Sequence, residues 1–432
     1  MNTSFSFENA KGSRTSSAVG RLVKLSEDFV IIGGGPVGLA MAIGLKLRGE
    51  SVRVLERGSR EEASFNFTLV TRSIALLETL GITIRDSCAP IFGREIWRQD
   101  GRHSFHSYGL RKTDCLYSLP RNKLIEALRV RAAQLGIEIS EGWGVVKLNS
   151  NGTLLAETPS GPVTISARRF VGADGCNSRI RDDIVRLADT AADRRPDGFL
   201  YAVTHIAAPD AKREGVRSDR IHFSTGAGGI DIGVGNADGS ISLLLERPAF
   251  GVSLDSESSI LQTFMEGPPP ILRNLVQNLP EQIMESPIRA FKYASSGAYS
   301  HGNVILAGDA ARCWPPYLGQ GLNSGLKDVA SFLDIWKSSG RNWRETLRRY
   351  ETDRREYARH LTHLSETHGK MLFSGEFGSS RWRLRDRIER IAERVAGHRN
   401  VYQQLVFDLD LSPTKDGQIR QAQRVLERAF SG

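Results

Sequence analysis

The sequence predicts an α/β protein: a parallel-sheet unit, interrupted by an inserted antiparallel sheet and followed by a helical region. Three stretches carry that prediction. In Phe29-Val-Ile-Ile-Gly33-Gly34-Gly35-Pro36-Val37-Gly38 a β-branched run enters a glycine turn that feeds an apolar helix. Two later apolar strands end in Asp174-Gly175 and in Gly308-Asp309. Between those two, from Gly198 to about Arg289, the texture changes to alternating strands and glycine-rich turns.

The glycine turn is a dinucleotide fingerprint in the context the fingerprint requires. Gly33, Gly35 and Gly38 form G-x-G-x-x-G, a helical stretch runs from Pro36 to about Leu47, and the next strand, Ser51 to Leu55, ends in Glu56 and Arg57. One glycine serves the tight turn, one lets a pyrophosphate approach the backbone, and one lets helix and strand pack closely. Pro36 costs no hydrogen bond at a helix start, where its N–H would be an orphan. The N–H groups at Val37 and Gly38 and the helix dipole then face the phosphates. Glu56 lies where a carboxylate accepts both ribose hydroxyls of an adenosine. A purely structural glycine turn is the competing reading, and the ordered strand, helix, strand and acid weigh against it.

Composition narrows the class. At 432 residues, 40% hydrophobic and 25% charged, the chain is an ordinary globular protein with room for two or three structural units. Cys88, Cys115, Cys176 and Cys313 are far apart in sequence and form no C-x-x-C pair. That argues against zinc or a disulfide framework and fits a reducing cytoplasm. No apolar stretch reaches the ~18 residues that span a bilayer, so stable membrane insertion is not expected. The net charge of +9 gathers late, around Arg341–Arg359 and Arg381–Arg399, with acidic residues interleaved. A solvated helix face is the plain reading; nucleic acid is not expected, because aromatics do not interleave with the basic residues in any binding-module pattern.

In chain order, residues 1–27 are polar and Ser-rich and read as a disordered leader. After Glu56 come Phe65–Val70 and an amphipathic helix from about Thr71 to Leu80, stopped by Gly81. Residues 92–108 alternate like a hairpin around Asp100-Gly101. Ser118-Leu-Pro-Arg121 opens a helix through Leu135, and short strands follow at Ile137–Ser140, Val145–Leu148 and Leu154–Thr158. The strand Arg169–Ala173 leads to Asp174-Gly175-Cys-Asn-Ser178-Arg-Ile-Arg181. Within 198–290, Tyr201–Ala207, Arg220–Ser224, Gly229–Gly235 and Ser240–Glu246 form an antiparallel substrate-binding layer. The chain returns at Gly302–Asp309, and Pro315-Pro316-Tyr317-Leu-Gly319-Gln-Gly321-Leu322-Asn323 heads a long helix. Gly319 and Gly321 expose backbone N–H groups there, suited to negative charge on an isoalloxazine. Beyond Asn342 the chain reads as helical to about His398, with a short helix near Ile419–Phe430. The expected division is a leader over 1–27, a discontinuous nucleotide domain over 28–197 and 291–340, a substrate sheet over 198–290, and a helical region over 341–432.

As a set, the three motifs resemble the single-component FAD-dependent aromatic hydroxylases typified by p-hydroxybenzoate hydroxylase, over about residues 28 to 370. The resemblance implies a Rossmann-like FAD-binding domain with an inserted antiparallel substrate-binding sheet and a helical C-terminal region. It implies that Glu56 holds the adenosine ribose, Asp309 the ribityl chain, and Arg121 lies near the pyrophosphate. Asp174 to Arg181 is associated with FAD and NADPH, and Gly308, Gly321, Leu322 and Asn323 with the flavin. Pro316 is the candidate for the flavin face, where a rigid carbonyl bonds a peroxide proton. The implied reaction is hydroxylation of an electron-rich aromatic through a flavin C4a-hydroperoxide, with FAD as cofactor, NADPH (or NADH) as reductant and O2 as co-substrate.

Within that family, Phe65–Gly81 is similar to the kynurenine 3-monooxygenase group. Arg94 precedes Tyr108 by fourteen residues, the spacing with which that group grips a substrate carboxylate. A guanidinium fork and a phenol O–H on one carboxylate make physical sense; two ordinary strand residues are the alternative. The late Asn-Tyr-x-Glu-Met signature is here Thr367-His368-Gly369-Lys370-Met371, so His368 becomes a candidate substrate contact. A Trp-Pro-Arg element is replaced by Phe223-Ser-Thr-Gly226, and the usual Asp-Ala-Ala-His by Asp309-Ala-Ala-Arg312. The expected partner is a small, carboxylate-bearing aromatic such as an aryl amine of the kynurenine kind. A tailoring monooxygenase acting on a quinolone, anthranilate or polyketide is the alternative, and a non-catalytic flavin-binding module the alternative from another class. Oligomeric state is not legible.

Overall fold

A computed structural model describes residues 21–58, 65–97, 100–109, 111, 113–226, 228–314 and 319–373. Its helices are α1 (Pro36–Lys46), α2 (Thr71–Thr79), α3 (Arg121–Gln134), α4 (Arg179–Leu187), α5 (Ala208–Arg213), α6 (Glu257–Met265), α7 (Leu279–Glu285), α8 (Gly321–Ser338) and α9 (Trp343–Phe373). A sheet of six strands forms the nucleotide side, in the order Ser300–His301, Val304–Leu306, Phe170–Gly172, Phe29–Ile32, Val52–Glu56, Glu138–Glu141. Every pairing in it is parallel except the first. Phe29-Val-Ile-Ile is buried at all four positions, as a strand covered on both faces must be. On one face α1, α3 and α8 pack around Phe29, Ile31, Met41, Val329, Phe332 and Trp336. Helices α1 and α8 approach so closely that a Cβ on Gly44 would stand 2.4 Å from Leu333 Cδ1. On the other face lie α4 and a four-stranded sheet that ends in Arg21–Lys24.

That last strand corrects the end of the leader expected over 1–27, of which residues 1–20 lie outside the described residues. Arg21–Lys24 pairs in parallel with Gly161–Ser166, and the Leu25 N–H donates to Ser166 O at 2.9 Å. A Leu-Val pair within a polar flank suffices once a sheet edge offers it partners.

The second layer is an eight-stranded mixed sheet. Its order is Arg312–Cys313, Arg289–Ser296, Ala192–Ile206, Ile241–Pro248, Gly229–Gly235, Ile221–Gly226, Gly93–Trp97, His103–Ser107. The four strands expected within 198–290 are present, with Ala192–Ile206 beginning earlier than expected. The sheet is not purely antiparallel, however. Gly93–Trp97 joins it in parallel beside Ile221–Gly226, placing Arg94 opposite Ile221, and brings the 103–107 strand of the predicted hairpin along. Alternation then divides the side chains. Ile96, Ile221, Phe223, Ile230, Ile232 and Leu244 share an inner face with Tyr108. Ala202, Ile206, Leu243 and Leu245 share an outer face closed by α5, α6 and α7. The inner face packs on Val70, Ala89, Ile91 and Leu116, of which Ala89, Ile91 and Leu116 belong to a three-stranded sheet that bridges the layers. Helix α9 crosses from the nucleotide side to run against Ile221–Gly226 and Gly229–Gly235. The helical expectations beyond Phe373 lie outside the described residues. Among the described residues no helix is long and apolar enough to cross a membrane.

Candidate functional site

The glycine turn closes because two of its glycines are irreplaceable. A Cβ on Gly33, which has φ +108°, would stand 2.4 Å from Ala173 O, and one on Gly38 would stand 2.0 Å from Gly33 O. Gly35 differs: nothing lies within 4 Å of where its Cβ would be. The turn is therefore packed tightly against its own fold and open at its crest. Gly35 is the N-cap of α1, with no side-chain cap and no acid in the first turn, so the helix start presents N–H groups and a positive dipole end. Val37 packs against Gly308 and Gly325, tying α1 to the later motifs. The Glu56 carboxylate stands beside the turn and accepts from Gly34 N–H at 2.5 Å and Gly58 N–H at 3.0 Å. Arg57 is exposed, its aliphatic stem against Gly144.

The two Asp-Gly-type loops meet nearby. Asp174 Oδ2 accepts the Arg179 N–H at 2.9 Å at the start of α4, where Ser178 caps Arg181 N–H. Its Oδ1 is buried with no partner among the described residues. Burial pushes this carboxyl above the usual range. Gly308 adopts φ +60°, and Asp309 beside it stays exposed at its rim. A Cβ on Gly321 would lie 4.0 Å from Asp309 Oδ1, so this carboxylate flanks the start of α8. Protein crowding on its other sides pushes the Asp309 carboxyl up, and Arg121, Arg312 and Arg181 pull it back. Arg121 opens α3 and is exposed, its guanidinium 5.5 Å from the Phe67 ring centre.

Helix α8 starts like α1, without a side-chain cap or an acid in its first turn. Gly319 reaches φ +63° just before it, and Leu322 packs on the core. The N-cap residue Gln320 is buried, with its Oε1 unpartnered among the described residues.

Two expected cofactor side chains are turned inward. Arg181 is 1% exposed, and its guanidinium donates to the carbonyls of Cys176 at 2.7 Å, Asp309 at 3.2 Å and Ala310 at 3.1 Å. It stitches the two loops together. Asn323 accepts from Val70 N–H and Ser73 Oγ and donates to Thr68 O and Gly319 O. Its amide is used up fastening α8 to α2, which leaves its backbone as the part able to face a ligand.

On the mixed sheet, Arg94 and Tyr108 are 4% and 1% exposed. Arg94 pairs with His106 across the hairpin, and the Tyr108 N–H donates to Phe92 O at 2.8 Å. Alternation sets all three side chains on the inner face. His368 falls within α9, its side chain outside the described residues, and Pro316 lies outside them altogether.

Two features were not foreseen. Cys176 and Cys313 form a disulfide, against the expectation drawn from the wide spacing of the four cysteines. They are 137 residues apart, but the pairing of the loops brings their Cα atoms to 5.4 Å. Beneath the loops lies a buried cluster: Asp328 accepts a bidentate pair from Arg312 (2.9 and 2.7 Å), Arg354 Nε at 2.6 Å and the Gly308 N–H at 2.8 Å. The only sequence signal was the arginine at 312.

An FAD-sized dinucleotide fits these residues. The open crest at Gly35, two uncapped helix starts, the unpartnered Asp174 Oδ1 and the exposed Asp309 and Arg121 supply donors and acceptors of the required kinds. The family model described as FAD binding domain matches residues 27–200 and 275–365. Kynurenine 3-monooxygenase from Salinispora tropica is 28% identical over 360 residues, covering 78% of this chain and 79% of that protein. The enzyme of that name from Flavobacterium psychrophilum is 27% identical, covering 84% of each. Among solved structures, p-nitrophenol 4-monooxygenase from Pseudomonas putida shares the fold at TM-score 0.70 and 19% identity, covering 90% of this chain and 98% of that one. HpxO of Klebsiella pneumoniae, complexed with FAD and uric acid, does so at TM-score 0.71 and 18% identity, covering 89% and 97%. The chain belongs to this FAD-binding family and is an FAD-dependent aromatic monooxygenase similar to the kynurenine 3-monooxygenases.

Proposed function

From that membership, we propose that the enzyme hydroxylates a small, carboxylate-bearing aryl amine of the kynurenine kind, with NADPH as reductant and O2 as oxygen source. The observation that carries this reading is Arg94 with Tyr108 on the inner face of the mixed sheet, both buried among apolar residues. A buried guanidinium with a phenol close by suits a carboxylate, and the surrounding Ile96, Phe223, Ile232 and Leu244 suit an aromatic ring. FAD, when bound, supplies the reducing equivalents and activates O2 for transfer of one oxygen atom to that ring. The protein's share is binding and exclusion of water. The α1 start and Arg121 bind pyrophosphate, Glu56 the adenosine ribose, Asp309 the ribityl hydroxyls, and the backbone at Gly319–Asn323 the flavin edge. The substrate layer is centred on 198–290, with Gly93–Ser107 added, and closes against α9.

The test is NADPH consumption by FAD-loaded protein with and without L-kynurenine, with products weighed by mass spectrometry. Stimulated consumption and a product one oxygen heavier are expected. Binding of FAD without stimulation would overturn the substrate class. Arg94→Met should raise KM roughly 10- to 100-fold, the worth of a charged hydrogen bond, while FAD stays bound. An unchanged KM would remove Arg94 from the substrate site.

A further inference from the structure

The bridge between Cys176 and Cys313 joins the two loops that the reading above assigns to FAD. Cys176 follows Asp174-Gly175, and Cys313 follows Gly308-Asp309 on the short strand Arg312–Cys313. The same gap is spanned a second time by Arg181, whose guanidinium ties Cys176 O to Asp309 O and Ala310 O. The two ties differ in access. Arg181 is 1% exposed, whereas both cysteines are only half-buried. Lys292 sits on the bridge: its carbonyl lies 3.2 Å from Cys313 Sγ, and its Nζ donates to Asn177 Oδ1 at 2.8 Å.

We propose that Cys176–Cys313 is a thiol–disulfide exchange site, served by a dithiol reductant, whose state sets how firmly the two FAD loops are held together. A thiolate of the dithiol attacks one sulfur of the bridge, and the other leaves as thiolate and takes up a proton. The second thiol of the reductant then displaces the attached cysteine. Two electrons and two protons pass to the protein, both cysteine thiols form, and the reductant departs as its disulfide. Opened, the loops lose their covalent tie and keep the Arg181 tie and the pairing of the strands that lead into them, so Asp174 and Asp309 are held less firmly at their separation. The inference rests on the reading that these loops contact FAD.

The test uses the FAD-loaded full chain. Alkylation under denaturing, non-reducing conditions should label two cysteines, Cys88 and Cys115, which are the free pair. After dithiothreitol it should label all four. Both free thiols are buried, and burial pushes Cys88 up to about 11, so alkylation of the native protein after reduction should report Cys176 and Cys313 first. Reduction should weaken FAD binding roughly tenfold, read by flavin fluorescence after dilution. The Cys176→Ser/Cys313→Ser protein should bind FAD like the reduced parent and ignore reductant. Four labelled cysteines before reduction would overturn the proposal, as would a bridge whose reduction leaves FAD affinity unchanged. Failure to bind FAD in either state would instead defeat the cofactor reading and this inference with it.

Discussion

Two buried clusters in this molecule have the same composition and opposite character. Under the loops that carry Asp174 and Asp309, Asp328 lies between Arg312 and Arg354; behind the mixed sheet, Asp231 lies between Arg247 and Arg273. Both aspartates are fully buried. Burial alone raises both carboxyls, yet for Asp328 the two arginines outweigh it and hold the group below the usual range, whereas Asp231 stays above it. The difference lies in where the donors point. Three guanidinium N–H groups and the Gly308 N–H converge on Asp328. At Asp231 each arginine gives one contact to the carboxylate and turns its other donors to carbonyls: Arg247 to Glu266 and Glu246, Arg273 to Phe264 and Pro268. In one cluster the aspartate is the hub and positions the Gly308 turn. In the other the arginines are the hubs and the aspartate is one acceptor among several.

The sharpest way to break that contrast is Asp328→Asn. Removing the charge leaves two buried guanidinium groups without their anion and frees the Gly308 turn, a loss of about 3–5 kcal/mol by precedent for broken buried pairs. A lowered urea midpoint should come with loss of FAD. A variant within about 1 kcal/mol of the parent, holding FAD normally, would show that Asp328 is no hub.

Acid should separate the regions next. His222, on the outer side of the mixed sheet, accepts from Trp97 Nε1 on Nδ1 at 3.2 Å and meets Arg217 O through Nε2 at 2.7 Å. Both contacts fix the neutral ring, because a proton on Nδ1 would face the indole N–H donor to donor. Burial pushes its pKa down to about 4. Unfolded, it titrates near 6.5, so between those values the unfolded state binds the extra proton and stability falls as pH falls. The loss is on the order of 3 kcal/mol across that window, while Asp328 stays ionised. Urea midpoints at pH 7.5, 5.5 and 4.5 should decline in the parent. The decline should flatten in His222→Asn, which keeps an acceptor and a donor and cannot charge. Equal slopes would acquit His222.

The same contrast explains what the sequence disclosed. The nucleotide side was legible because its chemistry is written in consecutive residues: strand, turn and helix start follow one another from Phe29 to Gly38. The collisions at Gly33 and Gly38 explain why glycine stands there. The mixed sheet was legible strand by strand but not in its pairing, since nothing in Gly93–Trp97 says that it will lie in parallel beside Ile221–Gly226. From sequence alone Asn323 and Arg181 read as cofactor contacts. Their inward hydrogen bonds depend on carbonyls that only the fold supplies. The disulfide escaped for the same reason, because separation in sequence says nothing about separation across two crossing loops. His222 carried no sequence signal at all.

The smallest effect is expected at Asp231→Asn. Its side chain would keep an acceptor for Arg273 Nε, now 3.0 Å from Asp231 Oδ2, and both guanidinium groups would keep their carbonyl partners. Relief of a buried charge offsets part of the lost attraction, so the net loss should be about 1–2 kcal/mol, less than at Asp328. FAD affinity should not change, because the cluster fastens the turn after α6 to the outer face, away from the loops that carry Asp174 and Asp309. Unfolding midpoints and flavin retention, measured side by side for the two variants, decide the matter. A loss equal to that of Asp328→Asn would mean that charge count, and not the direction of the donors, governs both clusters. Loss of FAD from the Asp231 variant would mean that strain on the outer face reaches the cofactor through the sheet.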